Sequence, residues 1–345
     1  MRRDGAGLAG WEPEAKDVKD MKTRWVRIGM VALVAGVAVA ALVALFVVGG
    51  SNAMAAAADS VNAATGWPWW AWVGLLLVFC FVLGVLAVLG GVGGGVLFVP
   101  LVSGFFPFHL DYVRGAGLLV ALAGALAAGP GLLKRNLANI RLALPVALIA
   151  SICSVLGAMV GLKLPTNITQ TFLGILILGI TLLLLFSKNT AKPVVTKQDA
   201  VGLALGLNGV YYDPAYNEMV EWKTHRTLPG LFLFIFIGFM AGMFGLGAGW
   251  ANVPVFNLLM GLPLKLSVGT SKFLLAITDT SAAWIYLNNG CVIPLIAVPS
   301  IVGLMTGSLV GVKLLAKTKP KVIRVIVIAV MFLAGYQALA KGLGW

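Results

Sequence analysis

The chain has 345 residues, of which 60% are hydrophobic and only 11% charged, a balance that excludes an ordinary water-soluble globular protein. Its formal net charge of +13 comes from Lys and Arg at the ends of apolar runs, which reads as membrane topology and excludes a nucleic-acid surface as the default. The apolar runs are flat and lack the alternation of a membrane barrel, so helices are the spanning elements and the lipid bilayer is the first partner.

Residues 1–70 form an N-terminal extension. The leader carries Arg2, Arg3, Lys16, Lys19, Lys22, Arg24 and Arg27 and is followed by an apolar run from Ile28 to Val48. So long a leader and so extended a run predict an uncleaved helix in the inner membrane, with the N-terminus cytoplasmic. Gly49 to Trp70 then contains no Lys or Arg and closes on Trp67, Pro68, Trp69 and Trp70, the pattern of an outer loop with an aromatic belt.

A first repeat is predicted over 71–187, with apolar pieces at Ala71–Leu89, Val96–Phe106, Val113–Ala128, Leu142–Gly161 and Ile168–Phe186. A glycine cluster, GGVGGGVLFVP from Gly90 to Pro100, interrupts it. Residues 188–229 are the one sizeable polar excursion and read as a cytoplasmic loop; Tyr211, Tyr212 and Trp222 around the turn formers NGVYYDPAYNE suit a small hairpin. The second repeat, 230–345, follows as Leu231–Phe244, Trp250–Met260, Leu266–Leu287, Ile293–Leu315 and Val322–Ala340.

The glycine cluster returns in it as FGLGAGWANVP, from Phe244 to Pro254. One constant offset places Gly84 on Gly238, Gly91 on Gly245, Gly93 on Gly247, Gly95 on Gly249 and Pro100 on Pro254. Five pieces per repeat is an odd number, so the second copy must enter the membrane from the opposite side. That is the inverted-repeat architecture of many secondary transporters, and it holds whether each glycine region makes a re-entrant hairpin or two crossings. The charges agree: of the 25 Lys and Arg, only Arg114, Lys163 and Lys341 fall outside and Lys272 falls within the membrane. A further echo, GAMVGLKL from Gly157 and GSLVGVKL from Gly307, reads as a helix-packing surface. Cys80, Cys153 and Cys291 lack metal spacing and read as small hydrophobes.

A helix that restarts inside a membrane presents unpaired N–H groups and the positive end of its dipole, which attract an anion. Two such restarts, related by the repeat, are expected to meet at one midplane cavity. The expected backbone donors are Gly93, Gly94 and Gly95 from the first, and Gly247, Ala248 and Gly249 from the second. Polar side chains gather in the second half, where Asn252, Thr270 and Ser271 are candidate donors and Lys272 a candidate charge. Asp279, two turns beyond Lys272 on nearly the same face, is the candidate proton carrier. His109, Asp111 and Arg114 read as a solvated loop at the outer mouth. Walker, HExxH, CxxC and GxSxG patterns in usable context are absent, so no enzyme, metal or cofactor is expected.

The paired motifs GGVGGGVLFVPL and GMFGLGAGWANVPVF, with LSVGTSKF from Leu266 to Phe273, resemble the sulfite exporter TauE/SafE family over roughly Trp72 to Lys341. The resemblance implies a permease that exports a small sulfur-containing anion, sulfite or an organosulfonate such as sulfoacetate. The first repeat departs from the pattern with Gly115-Ala116-Gly117 where the second has Gly269-Thr270-Ser271. The expectation is an all-α polytopic transporter with two inverted repeats and one extra N-terminal helix, exporting such an anion with proton antiport through Asp279. The rivals are a passive anion channel and a membrane subunit acting with a partner protein through 188–229. The sequence leaves monomer and homodimer open.

Overall fold

The computed structural model describes residues 68–90, 93–106, 108–134, 138–186, 193, 198–213, 218–315 and 320–344. The helix expected at Ile28–Val48, the loop that follows it, and Gly91 and Val92 of the first glycine cluster lie outside the described residues. The described chain is almost wholly helical: α1 Trp69–Gly90, α2 Gly94–Phe105, α3 Leu110–Lys134, α4 Ile140–Lys163, α5 Thr166–Phe186, the short α6 Ala200–Ala204, a hairpin of β1 Asn208–Asp213 and β2 Glu218–Lys223, then α7 Thr227–Phe244, α8 Gly249–Pro254, α9 Leu264–Asn288, α10 Pro294–Leu315 and α11 Pro320–Leu343. A π-helical turn, Val255–Leu259, carries α8 onward without a break.

Six of these helices, α1, α3, α4, α5, α7 and α10, are long and apolar enough to cross a membrane. Their outward faces hold large exposed apolar side chains such as Val78, Leu148, Ile152, Phe186 and Phe232, a pattern that water would not tolerate and lipid requires. Helix α9 is long enough to cross, at about 1.5 Å per residue, but carries Ser267, Thr270, Ser271, Lys272, Thr278 and Asp279. It packs against α3, α4 and α8, which cover that polar face.

Each glycine break is the bend of a hairpin, which answers the question the sequence leaves open. Trp72, at the start of α1, stacks edge-on to Phe106 and Phe108 just beyond α2, with ring centroids 5.9 Å and 6.0 Å apart. At the second break the His225 N–H, just before α7, donates to the Met260 carbonyl beyond the π-helical turn at 3.1 Å. At each break the return arm therefore folds back alongside the helix that precedes it. The return arms are short: α2 has 12 residues, about 18 Å, where a bilayer core needs about 30 Å.

Glycine makes the closest helix pairings. A Cβ on Gly84 would lie 2.4 Å from the Leu304 carbonyl oxygen, and one on Gly307 would lie 2.0 Å from that of Phe81, so α1 and α10 pack backbone to backbone. Gly157 meets the Phe239 carbonyl and Gly242 that of Ser154 in the same way, joining α4 to α7. Gly157 and Gly307 are the first glycines of the GAMVGLKL and GSLVGVKL echo, which here pack helices as expected.

The pairing pattern has a two-fold character. The main pairs are α1 with α10, α4 with α7, α5 with α11, α4 with α9, α3 with α10 and α3 with α9. Exchanging the first five helices for α7–α11 in order turns this set into itself. Helices that would be exchanged for one another run antiparallel where they touch. Gly174 of α5 faces Leu339 of α11 while Gly335 faces Ile177 and Leu178. Gly115, early in α3, faces the Cys291 carbonyl beyond α9, and Asn139, beyond α3, donates its N–H to Thr270 early in α9.

The polar excursion forms the hairpin its turn formers suggest, with Gly209 opposite Trp222 and Tyr211 opposite Val220. It is docked on the bundle. Trp222 is buried in a cluster with Phe234, Phe256 and Leu262, and Asp199 accepts from both the backbone N–H and the hydroxyl of Thr227 at the start of α7.

Candidate functional site

The two breaks meet. Gly93 starts α2 with φ of 94°, and Gly245 and Gly247 both have φ of 69°, conformations that cost an L side chain about 1–2 kcal/mol. A Cβ on Gly95 would lie 2.5 Å from the Leu246 carbonyl oxygen and 3.0 Å from Ala121 Cβ, while one on Gly247 would lie 3.1 Å from the same Ala121. Ala121 of α3 thus touches both breaks. The sequence reading missed it, and its signal was only the run of small residues through α3. Gly117, one turn before it, is held against the Gly245 carbonyl and Val99, so α3 is the floor on which both breaks rest.

The first break brings no polar side chain. Residues Gly94 to Ser103 of α2 are buried throughout, and the Ser103 hydroxyl is spent on the Pro100 carbonyl. Gly94 is pressed against the Leu304 side chain. The second break differs. Asn252, in the first turns of α8, is 0% exposed, its N–H bonded to the Ala248 carbonyl, and neither Nδ2 nor Oδ1 has a hydrogen-bond partner. Trp250 Nε1 beside it is also buried and unpartnered.

Asp279, near the middle of α9, is 0% exposed, and its Oδ2 has no hydrogen-bond partner. That oxygen points at the bend, 2.8 Å from where a Gly247 Cβ would be. Gly247 is therefore required twice, for its dihedral and for the space that the carboxyl occupies. Lys272, half-buried two turns earlier on α9, lies within electrostatic reach of Asp279. Each buried polar atom left unpaired costs about 1–3 kcal/mol. Four of them belong to the bend and its covering helix: three on α8, which follows the bend directly, and one on α9, which faces Gly247.

The remaining sequence candidates are placed as follows. Thr270 and Ser271 are buried on the first turns of α9, and the Thr270 hydroxyl oxygen accepts the Asn139 N–H at 3.1 Å, holding the N-cap of α4. Asn139 in turn caps α4 by accepting from Leu142 N–H. Thr270 keeps its hydroxyl proton, but its acceptor is committed to the fold. Ala248 is fully buried and Gly249 opens α8. Among the described residues no cluster of His, Cys, Asp and Glu could hold a metal ion.

The expectation of a solvated loop at the outer mouth is overturned at Arg114. This side chain is 1% exposed. It donates to the Gly161 carbonyl at the end of α4 and, at 2.9 Å, to the Met243 carbonyl at the tip of α7, and it pairs with Asp111. Tyr286 of α9 lies under the guanidinium at 5.9 Å and donates to the Gly242 and Met243 carbonyls. Both side chains satisfy carbonyls that the end of α7 leaves without helical partners. Arg114 is a clasp for four helices, which its place three residues after Asp111 in a short polar stretch did not reveal.

Known proteins bear on this arrangement. Residues 75–338 match the family model described as Sulfite exporter TauE/SafE, a span that runs from within α1 to within α11. A probable membrane transporter protein, YunE of Bacillus subtilis (strain 168), is 25% identical over 260 residues, covering 73% of this chain and 92% of its own length. No solved structure matches. With the polytopic helical bundle, the match over most of the length shows that the chain belongs to the TauE/SafE sulfite exporter family and is a multi-pass membrane transporter, not an enzyme.

Proposed function

We propose that the transporter exports a small sulfur-containing anion, sulfite or an organosulfonate such as sulfoacetate, across the inner membrane, with its N-terminus in the cytoplasm. The observation that carries the reading is the set of buried, unpartnered polar atoms at the second glycine bend, Trp250 Nε1, Asn252 Nδ2 and Oδ1 and Asp279 Oδ2, beside the Lys272 charge. Two N–H donors and an ammonium suit an oxyanion; the carboxyl is the group that a coupled proton would use. The junction of the two bends on Ala121 brings the backbone of both to one place, where N–H groups of Gly93 to Gly95 and Gly247 to Gly249 can add donors. Ser271 and the Thr270 hydroxyl proton lie on the adjoining turn.

The two-fold pairing of helices and the antiparallel contacts of α3 with α9 and α5 with α11 support reading 71–187 and 230–345 as inverted repeats related across this site, with the segment 188–229 as their cytoplasmic link. Such an arrangement suits alternating access by one half rocking against the other.

Reconstituted liposomes test the reading. Purified protein is expected to move sulfite with saturation and to show counterflow of labelled sulfite, and Asn252→Ala is expected to reduce it. A linear, non-saturating flux would instead indicate a channel. Transport that appears only with an added partner, and disappears when 188–229 is deleted, would indicate a membrane subunit.

A further inference from the structure

The placement of Asp279 decides how a proton would be coupled, given the anion site proposed above, on which this inference rests. Three observations bear on it. Asp279 is fully buried, its Oδ2 faces the bend at Gly247, and that oxygen lacks any donor. The ammonium within its electrostatic reach is Lys272 on its own helix. The other unpartnered groups on the bend are the neutral Trp250 and Asn252.

We propose that the site binds its anion and a proton together, the proton adding to Asp279 as the anion takes over the Lys272 charge. In the empty site an ionised Asp279 and Lys272 compensate one another. When a proton from solution adds to Oδ2, the carboxylate becomes a neutral donor and Lys272 is left without a counter-charge. A monoanion entering at Lys272, with Trp250 Nε1 and Asn252 Nδ2 donating, restores neutrality. Neither state leaves a bare charge in the low-dielectric interior, where that would cost many kcal/mol.

The opposite order, with the anion bound as Asp279 loses its proton, would set two negative charges against one ammonium. Like charges so close strongly disfavour one another. Proton and anion therefore travel in the same direction, as cotransport, where the sequence alone suggested exchange. The Thr278 hydroxyl, 3.5 Å from Oδ1, is the remaining polar neighbour. Among the described residues no other element contributes a competing charge. Helix α7, α8 and the π-helical turn carry no titratable residue, and α4 carries Arg141, Cys153 and Lys163, none acting on Asp279. Asp111 and Arg114 of α3, together with Cys291, act on Tyr286 at the far end of α9.

Calorimetry on the full-length protein in detergent tests this. Sulfite and methanesulfonate, a singly charged organosulfonate, are titrated between about pH 6 and pH 9, in buffers of different ionisation enthalpy, into the wild type and Asp279→Asn. The Asn variant, a mimic of the protonated carboxyl, is expected to bind whichever anion it takes without the additional proton uptake. The wild type is expected to take up one more proton per anion than the variant. Its dissociation constant relative to the variant's is expected to rise by up to about tenfold per pH unit once Asp279 ionises. Sulfite's own titration cancels between the two proteins, and methanesulfonate stays a monoanion over this range. Equal proton uptake and a flat ratio would overturn the inference while leaving the anion site standing. Binding of neither anion would overturn the site and the inference with it. If Asp279→Asn does not yield folded protein, Asp279→Ser takes its place: it too lacks the ionisable carboxyl, and the wild type is still expected to take up one more proton per methanesulfonate than the variant.

Discussion

The two glycine bends share a shape and divide the labour. The first, at Gly93–Gly95, opens a wholly buried apolar helix whose tightest contacts are with the Leu246 carbonyl and the Leu304 side chain. The second, at Gly245–Gly249, has the same kind of short return helix but carries Trp250 and Asn252 on it and faces Asp279, with Lys272 in electrostatic reach of that carboxyl. A duplicated backbone device can therefore be kept for geometry in one copy and for chemistry in the other. The contrast predicts that substitutions at the first bend act through packing, and those at the second through transport.

The largest expected effect comes from Gly245→Leu. Its φ of 69° and the Arg114 carbonyl oxygen 2.3 Å from a Cβ combine strain with a backbone clash. A loss on the order of 3–5 kcal/mol is expected, seen as lost monodisperse protein. Arg114→Met follows, at about 3 kcal/mol, because it strands the Gly161 and Met243 carbonyls and the Asp111 charge. A fall in melting temperature checks it, and an unchanged melting temperature would return Arg114 to the solvated loop that the sequence suggested.

At the second bend, Asn252→Ala is expected to lower sulfite flux by about 5- to 100-fold while leaving stability equal or higher, since it removes two buried atoms that have no partner. Flux and stability falling together would show that Asn252 is a packing residue and erase the division between the bends. Gly95→Ala sharpens the same comparison from the other side. Its Cβ would press on the Leu246 carbonyl at 2.5 Å, so a stability cost of about 1–2 kcal/mol is expected, with substrate affinity preserved in the protein that folds. The smallest effect belongs to Gly74→Ala, where nothing lies within 4 Å of the added Cβ, and stability is expected to stay within about 1 kcal/mol of wild type.

Much of this was legible in the chain. Composition and run length made the bundle, because a bilayer forces every backbone polar group into a helix whatever the packing. The repeated glycine clusters marked both bends, since glycine is the residue that takes positive φ without strain and lets backbones touch. Charge rarity marked Lys272 and Asp279, because an ionisable group in an apolar segment is costly wherever it faces. Other features depended on contacts between residues far apart in sequence. Whether each bend closes a hairpin was decided by Trp72 against Phe106 and by His225 with Met260. Ala121 became the common floor, Thr270 the clamp on Asn139, and Arg114 a buried clasp only once four helices converged on them. Local pattern reports what a residue costs in a membrane, and tertiary packing alone decides which neighbour meets that cost.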